Sequence, residues 1–444
     1  MAAEMSAVAD DSPYILLACR QNILFPASLV AAWRSGLVPI PISSQSTQHE
    51  LEFLRATLGI GALRIFLDSS LESEVIFKFQ ASGASCSFLS DQIGTGSLKS
   101  GRHQADALGL LSSGTTSAPR IYIFTHQNLF EAAKIELSNE PEYQSGYIAN
   151  LRPHFTSAGL NTLWPSFFAG NKNLLSDQIR QVPIPRFINQ LLGKETISHL
   201  ILSPTYILSA LNNSGEALKA ARPTPLYFGG QSLPTQALRS LLASGFQPAM
   251  RYGMTEVAHI LAKKSYSEAD LVSFQKSDIG QPNSNLHWKI TDGYFYLRSP
   301  GVADAYFENG RRHSLSKEEP FRSPDRAEQK DDGSLHLIGR ENQIICIDGF
   351  RFHSQQVEEI LMATEKISDC RVLSFSQAGG NEKLCAFVLK KQAQLSDESL
   401  KDLLRQRASS ALSPFKRPQV YLVLSKWPEG ANGKIDFNQL RSLL

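Results

Sequence analysis

A run of nine residues, Ser112-Ser113-Gly114-Thr115-Thr116-Ser117-Ala118-Pro119-Arg120, sets the strongest limit on this chain. Ala107 to Leu111 before it is apolar and Ile121 to Phe124 after it alternates, so the segment reads as strand, tight turn, strand. Such a turn offers backbone N–H groups and several hydroxyls to one anion, with Arg120 as counter-charge. A polyphosphate suits that cradle; an ordinary Ser/Thr-rich hairpin uses the same residue types. It is not a Walker loop, because no Gly-Lys-Ser/Thr opens a helix, and no Gly-x-Gly-x-x-Gly follows a strand.

The chain has 444 residues, enough for two or three domains. A formal net charge of only +2 gives no bulk attraction for nucleic acid. The basic clusters Arg311-Arg312-His313 and Lys416-Arg417 read as solvated surface. Five scattered cysteines without Cys-x-x-Cys suit a reducing cytosol, and ten histidines form no metal-type cluster. Met1 to Pro13 lacks the basic start and apolar core of a secretory signal. No segment nears the ~20 uninterrupted apolar residues of a membrane span. A cytoplasmic location is expected.

Strand and helix patterns alternate to about residue 260, which argues for layered α/β architecture. Tyr14 to Cys19 reads as a buried strand, Phe25 to Arg34 as a helix stopped at Gly36, and Leu51, Leu54 and Leu58 as one helical face. From Asp278 to Gly339, short alternating runs joined at Asp292-Gly293 and Asp332-Gly333 predict a small β-rich subdomain. Beyond Arg340 a compact α+β unit follows: strands at Ile344 to Ile347, Arg371 to Phe375, Leu384 to Leu389 and Gln419 to Leu424. Two helices belong with it, one carrying Val357, Ile360 and Leu361, the other starting near Ser396. The expected class is α/β, with a large N-terminal domain (1–340) of layered α/β subdomains plus the β-rich one, and a small C-terminal domain (341–444).

Four further clusters stand out. Leu226-Tyr227-Phe228-Gly229-Gly230-Gln231 is a strand running into a double glycine, where backbone approaches a flat ligand closely or simply turns. Arg251-Tyr252-Gly253-Met254-Thr255-Glu256 gathers an aromatic face, a hydroxyl and a carboxylate suited to a base, a phosphate oxygen and Mg²⁺. Gly339-Arg340 and Asp348-Gly349-Phe350-Arg351 frame the domain border, and Ala431-Asn432-Gly433-Lys434 ends a terminal loop.

In this order the clusters resemble the adenylate-forming superfamily of acyl-CoA synthetases, aryl-CoA ligases and peptide-synthetase adenylation domains. Ser112 to Arg120 with Thr125-His126 is similar to its phosphate loop. Tyr252 to Glu256 matches its Tyr-Gly-x-Thr-Glu motif. Phe321-Arg322-Ser323-Pro324-Asp325 stands where the family has Tyr-Arg-Thr-Gly-Asp, Gly339 to Arg351 matches the hinge, and Pro428 to Lys434 the terminal Gly-Lys loop. The resemblance implies an enzyme that activates a carboxylic acid with Mg-ATP to an acyl-adenylate, releasing pyrophosphate. The acyl group then passes to a thiol, of coenzyme A or of a carrier-protein phosphopantetheine.

The resemblance also implies roles. Lys434 bridges carboxylate and α-phosphate, Thr255 contacts the α-phosphate, and Glu256 holds Mg²⁺. Ser113, Gly114, Thr115, Thr116 and Arg120 grip pyrophosphate. Asp325 holds the ribose with Arg340 nearby. Tyr252, beside Gly253, stacks on adenine next to Gly229, Gly230 and Gln231. A mobile C-terminal lid then withdraws Lys434 and brings Gly349 to the thiol tunnel.

The chain departs from the pattern at Ser117, Arg120, Pro324 and Asn342, and the usual opening helix and strand before Tyr14 are missing. Pro153-His154-Phe155-Thr156-Ser157-Ala158-Gly159 aligns with the acyl-pocket wall. No Asp stands near Ser157 to pair with an α-amine, which argues against an α-amino acid. Thr156, where many relatives have His, widens the pocket or offers one hydrogen bond. An aryl or medium-sized acyl acid is therefore expected, with no nucleic acid partner and no membrane span. A stand-alone enzyme that loads a carrier protein and a non-catalytic nucleotide-binding scaffold remain open alternatives.

Overall fold

The computed structural model describes residues 12–20, 22–81, 83–89, 105–112, 120–140, 146–175, 183–194, 197–211, 217–230, 232–272, 274, 277–340, 344–347, 349–364, 366–376, 382–391, 395–428 and 437–444. The chain opens with β1 (Tyr14–Ala18), α1 (Leu24–Arg34), β2 (Val38–Pro41), α2 (Gln48–Leu58), β3 (Arg64–Asp68), α3 (Ser73–Ala81) and β4 (Ser85–Leu89). These strands form a parallel sheet in the order β2-β1-β3-β4. Pro39 and Pro41 are tolerated because β2 lies at its edge. Helix α2 starts at a capping box: the Thr47 hydroxyl accepts from the Glu50 N–H, and the Glu50 carboxylate accepts from the Thr47 N–H.

The hairpin expected around the Ser/Thr turn is present. β5 (Asp106–Ser112) and β6 (Arg120–Thr125) pair antiparallel, with Ser112 opposite Arg120. The chain continues through α4 (His126–Asn139), β7 (Tyr147–Asn150), α5 (Ser157–Ala169), β8 (Lys172–Leu174), α6 (Ile184–Lys194), β9 (Ile197–Ile201), α7 (Pro204–Leu211), β10 (Thr224–Gly229), α8 (Thr235–Ala243) and β11 (Phe246–Tyr252). Strands β7 to β11 are mutually parallel, as crossover helices require. Their C-terminal ends carry the double glycine and the Tyr252–Glu256 segment. That is the edge where open α/β sheets bind ligands.

The β-rich segment comprises β12 (Ala262–Ser265), β13 (Asp278–Pro282), β14 (His287–Thr291), β15 (Tyr294–Arg298), β16 (Ala305–Glu308), β17 (Arg311–Ser314), β18 (Phe321–Gln329) and β19 (Leu335–Arg340). It does not stand apart as the turn signals suggest. β13 pairs with β12 on one side and β19 on the other, which makes one 11-stranded sheet in the order β14-β15-β18-β19-β13-β12-β11-β10-β9-β7-β8. Phe295, Leu297, Ala327 and Leu335 join the same buried cluster as Leu200, Leu226 and Met250, so a shared core overrides the local hairpin pattern. β16 pairs onto β6 instead, and β17 onto β16, in the sheet β17-β16-β6-β5.

The C-terminal unit holds β20 (Ile344–Ile347), β21 (Phe350–His353), α9 (Ser354–Met362), β22 (Ile367–Ser376), β23 (Glu382–Lys390), α10 (Asp397–Ala411), β24 (Val420–Leu424) and α11 (Phe437–Ser442). Its core contains Val357, Ile360, Leu361, Leu400 and Leu404 from the two helical faces read in the sequence. The expected border at 341–343 lies outside the described residues.

Candidate functional site

A cavity of about 160 Å³ opens where the ends of β10 and β11 meet the start of α5 and the C-terminal unit. Thr255 and Gly253 line it from the segment after β11, Gly229 and Gly230 from the end of β10, and Gly349 from the C-terminal unit. Leu111, beside the Ser/Thr turn, lines it too. Motifs separated by more than a hundred positions therefore share one space. Ser113, Gly114, Thr115, Thr116, Gln231 and Lys434 lie outside the described residues.

Gly229 must be glycine for a reason internal to the sheet. A Cβ there would sit 2.3 Å from the Arg251 carbonyl oxygen on neighbouring β11. The close approach expected for a flat ligand is thus made by protein backbone. Gly230 has φ +87°, and a Cβ on it would come 3.6 Å from Cys346 Sγ.

The Tyr252–Glu256 segment is held from three sides. Tyr252 is buried and its hydroxyl donates to Asp325 Oδ2 at 2.6 Å. That contact joins two of the motifs singled out in the sequence. Asp325 stands opposite Arg340 in the β18–β19 ladder. Thr255 Oγ1 lies 3.5 Å from Ser157 Oγ at the start of α5. Burial and then the negative charge of Glu256 push the phenol of Tyr122 upward, which puts that carboxylate near β6.

Behind the segment lies a buried charge cluster that motif reading missed. Arg251 pairs with Glu140 and covers the Tyr227 ring, 3.8 Å from its centroid. His199 Nε2 lies 3.2 Å from Glu140, and Lys263 3.3 Å from it. Glu136, one turn earlier, accepts the Ile260 N–H. Burial pushes both carboxyls up. For Glu140, Arg251, His199 and Lys263 outweigh burial and hold it well below the usual range. For Glu136, the Glu140 charge adds to burial and pushes it up to about 8. The sequence signal was the Glu136, Glu140 spacing of one helical turn.

Three expectations change. Arg120 does not stand as an open counter-charge: its Nε pairs with Glu308 at 2.8 Å and its guanidinium covers the Tyr306 ring at 4.5 Å. Thr156 caps α5. Its hydroxyl accepts the Gly159 N–H at 3.2 Å and donates to the Pro153 carbonyl at 2.7 Å, so helix initiation accounts for it. The Lys416-Arg417 and Arg311-Arg312-His313 clusters are not simply solvated. Lys416 is 8% exposed and binds Glu50 at 2.8 Å, and Arg312 binds Asp106 at 3.1 Å.

Arg152, a lone cation before Pro153 that motif reading passed over, is also part of the wall. It is buried and donates to the Gly229 carbonyl at 2.9 Å. Gly349 has φ +83°, which favours glycine, and a Cβ there would lie 2.9 Å from Arg152 Nη2 at the tip of that side chain. Beside it, Phe350 stacks between Phe155 and Phe415, at 5.5 and 4.0 Å between ring centroids.

Among the described residues, no group of three or more His, Cys, Asp or Glu is arranged to hold a metal ion. Glu256 is the one carboxylate of the Tyr252–Glu256 segment. No described helix is long and apolar enough to cross a membrane.

Comparison with known proteins agrees with this geometry. The chain is 25% identical over 332 residues to 2-succinylbenzoate–CoA ligase from Escherichia coli (strain K12), covering 74% of this chain and 66% of that protein. It is 23% identical over 350 residues to gramicidin S synthase 2 from Aneurinibacillus migulanus, covering 74% of this chain and 8% of that protein. The chain spans less than two thirds of the length of these curated relatives. A double mutant of o-succinylbenzoate CoA synthetase from Bacillus subtilis, bound to a product analogue, superposes with TM-score 0.77 at 19% identity, covering 99% of this chain and 91% of that one. The same enzyme with its acyl-adenylate intermediate gives 0.64 at 19% identity, covering 99% and 90%. The AMP-binding enzyme family matches residues 8–307 and the AMP-binding enzyme C-terminal domain matches 356–434, so the chain belongs to the AMP-binding enzymes.

Proposed function

We propose that this protein is an AMP-forming carboxylate–thiol ligase, which converts a carboxylic acid and ATP to an acyl-adenylate and then to a thioester, most simply of coenzyme A. The observation that carries this reading is the single cavity shared by Thr255, Gly229, Gly230 and Gly349, which come from both units of the chain.

In the first step a carboxylate oxygen attacks the α-phosphorus of ATP and pyrophosphate leaves. Two anions must meet, so charge neutralisation and positioning carry the chemistry. In this reading Lys434 bridges the two anions and Thr255 contacts the α-phosphate. Asp325, steadied by Tyr252 and with Arg340 opposite, holds the ribose. Ser113, Gly114, Thr115 and Thr116 receive the pyrophosphate, while Arg120 shapes their hairpin through Glu308. Glu256 holds Mg²⁺, which when bound offsets phosphate charge.

In the second step the thiol sulfur attacks the adenylate carbonyl carbon. A C–S bond forms, the C–O bond to AMP breaks, AMP departs with the electron pair, and the thiol proton passes to solvent. Gly349 beside Arg152 forms the wall along which the thiol arrives. The C-terminal lid of residues 341–444 serves this step in the orientation described and rotates to deliver Lys434 for the first.

The apolar part of the lining favours an aryl acid. Ile201, Tyr227 and Ile260 supply apolar wall, and Ser157 offers no charge to an α-ammonium. Free cysteines, Cys370 and Cys385 among them, fit a cytoplasmic setting. A carrier-protein pantetheine is the second acceptor considered, because the matches include a peptide synthetase.

Acid-dependent exchange of labelled pyrophosphate into ATP, across aliphatic, aryl and amino acids, tests the reading. Exchange with aryl acids is expected, and Lys434→Ala should lower it by roughly 10²-fold or more while largely sparing thioester formation from preformed adenylate. A folded protein that shows no exchange with any acid overturns the assignment.

A further inference from the structure

The carboxylate that starts α2 also reaches across to the C-terminal unit. Besides its cap contact with the Thr47 N–H at 3.0 Å, Glu50 accepts from Ser413 Oγ at 2.5 Å and from Lys416 Nζ at 2.8 Å. Thr47 Oγ1 adds a bond to the Ala411 carbonyl at 3.4 Å. The Glu50 and Lys416 side chains are only 17% and 10% exposed. Both residues line the cavity, together with Ser46, Ser413 and Phe415.

We propose that Glu50 and Lys416 form a reversible latch that holds the C-terminal unit in the orientation used for thioester formation. The inference rests on the two-step reading above. Largely buried charges of opposite sign attract more strongly here than in water. Both recover hydration when the units part, so the contact can be broken without stranding a buried charge. Burial alone would push the Glu50 carboxyl up, but Lys416, Ser413 and the Thr47 N–H outweigh it and hold it below the usual range. In this orientation Gly349 lines the same cavity as Thr255, which is where the two-step reading has the thiol arrive. Lys416 and Glu50 are positioning residues: neither is needed to touch the reacting atoms.

The test compares two rates in the full chain: pyrophosphate exchange, and single-turnover thioester formation from purified aryl-adenylate and coenzyme A. Three variants are used: Lys416→Met, Glu50→Gln and the double variant. Glutamine keeps the capping box, so α2 should still start correctly. Each single variant should slow thioester formation roughly tenfold relative to exchange. The double variant should be no slower than the worse single one, because one contact is being removed twice. Backbone hydrogen exchange should rise at both Thr47 to Glu50 and Ser413 to Lys416 in each variant. The latch is overturned if the ratio of the two rates stays at the parent value, if the single losses multiply in the double variant, or if hydrogen exchange rises on one side only. Absence of exchange in the parent protein overturns the two-step reading itself, a separate and distinguishable result.

Discussion

The Tyr252 hydroxyl and the Asp325 carboxylate meet at 2.6 Å although 73 positions separate them, and this bond ties the end of β11 to the middle of β18. Asp325 is 1% exposed, and its own N–H is held by Ser323 Oγ at 2.9 Å. Tyr252→Phe removes one donor from a buried carboxylate and should cost about 1–3 kcal/mol of stability. Chemical denaturation measures that cost. If Asp325 holds the ribose, KM for ATP should rise as well. A variant as stable as its parent, with unchanged KM, would show the bond to be incidental.

Glu136 gives stability a pH dependence of definite sign. Its folded pKa is pushed up to about 8 by burial and by Glu140, against 4.5 in the reference state. The folded chain therefore holds an extra proton between those values. The associated stability is fully present below the lower value and lost as pH rises through the higher one. Glu136→Gln mimics the neutral acid and can still accept the Ile260 N–H. It should flatten the loss of stability between about pH 5 and about pH 8.5, as seen in urea denaturation at each pH. Parallel pH profiles for parent and variant would refute the assignment.

Gly229→Ala places a methyl group 2.3 Å from the Arg251 carbonyl. Backbone on both sides must move, at a cost of about 1–3 kcal/mol. Because β10 and β11 carry both the double glycine and Tyr252, nucleotide binding should weaken along with Tm. Gly61→Ala, where a Cβ meets nothing within 4 Å, is the control and should change neither. Equal effects at the two sites would contradict the close-approach argument.

Local signals were legible in the sequence wherever chemistry and backbone coincide. The hairpin around the Ser/Thr turn, the Thr47 to Leu58 helix and the Asp292-Gly293 turn follow from periodicity and turn residues. The union of Thr255, Gly229 and Gly349 in one cavity follows from the motif order. What escaped were contacts between distant segments. The run of strands from β13 to β19 looked self-contained because hairpins pair locally, whereas its apolar face is completed by β9 to β11. Lys416 looked solvated because its partner, Glu50, lies 366 positions away. Thr156 drew a substrate role from its alignment, although its hydroxyl is used by the helix it starts.

The continuous sheet has a mechanical corollary. Tyr252 and Asp325 belong to one bonded array, so the two residues cannot drift apart without breaking the sheet between them. The polypeptide enters that unit once, after β19, and every later strand stays within it. Among the described residues no later strand pairs back onto the larger sheet. The two units meet through side-chain contacts at the seam, where Phe350 stacks on Phe155 and Lys416 pairs with Glu50, so under the proposed two-step reading substitutions at a handful of positions would retune how long the enzyme spends in each half-reaction.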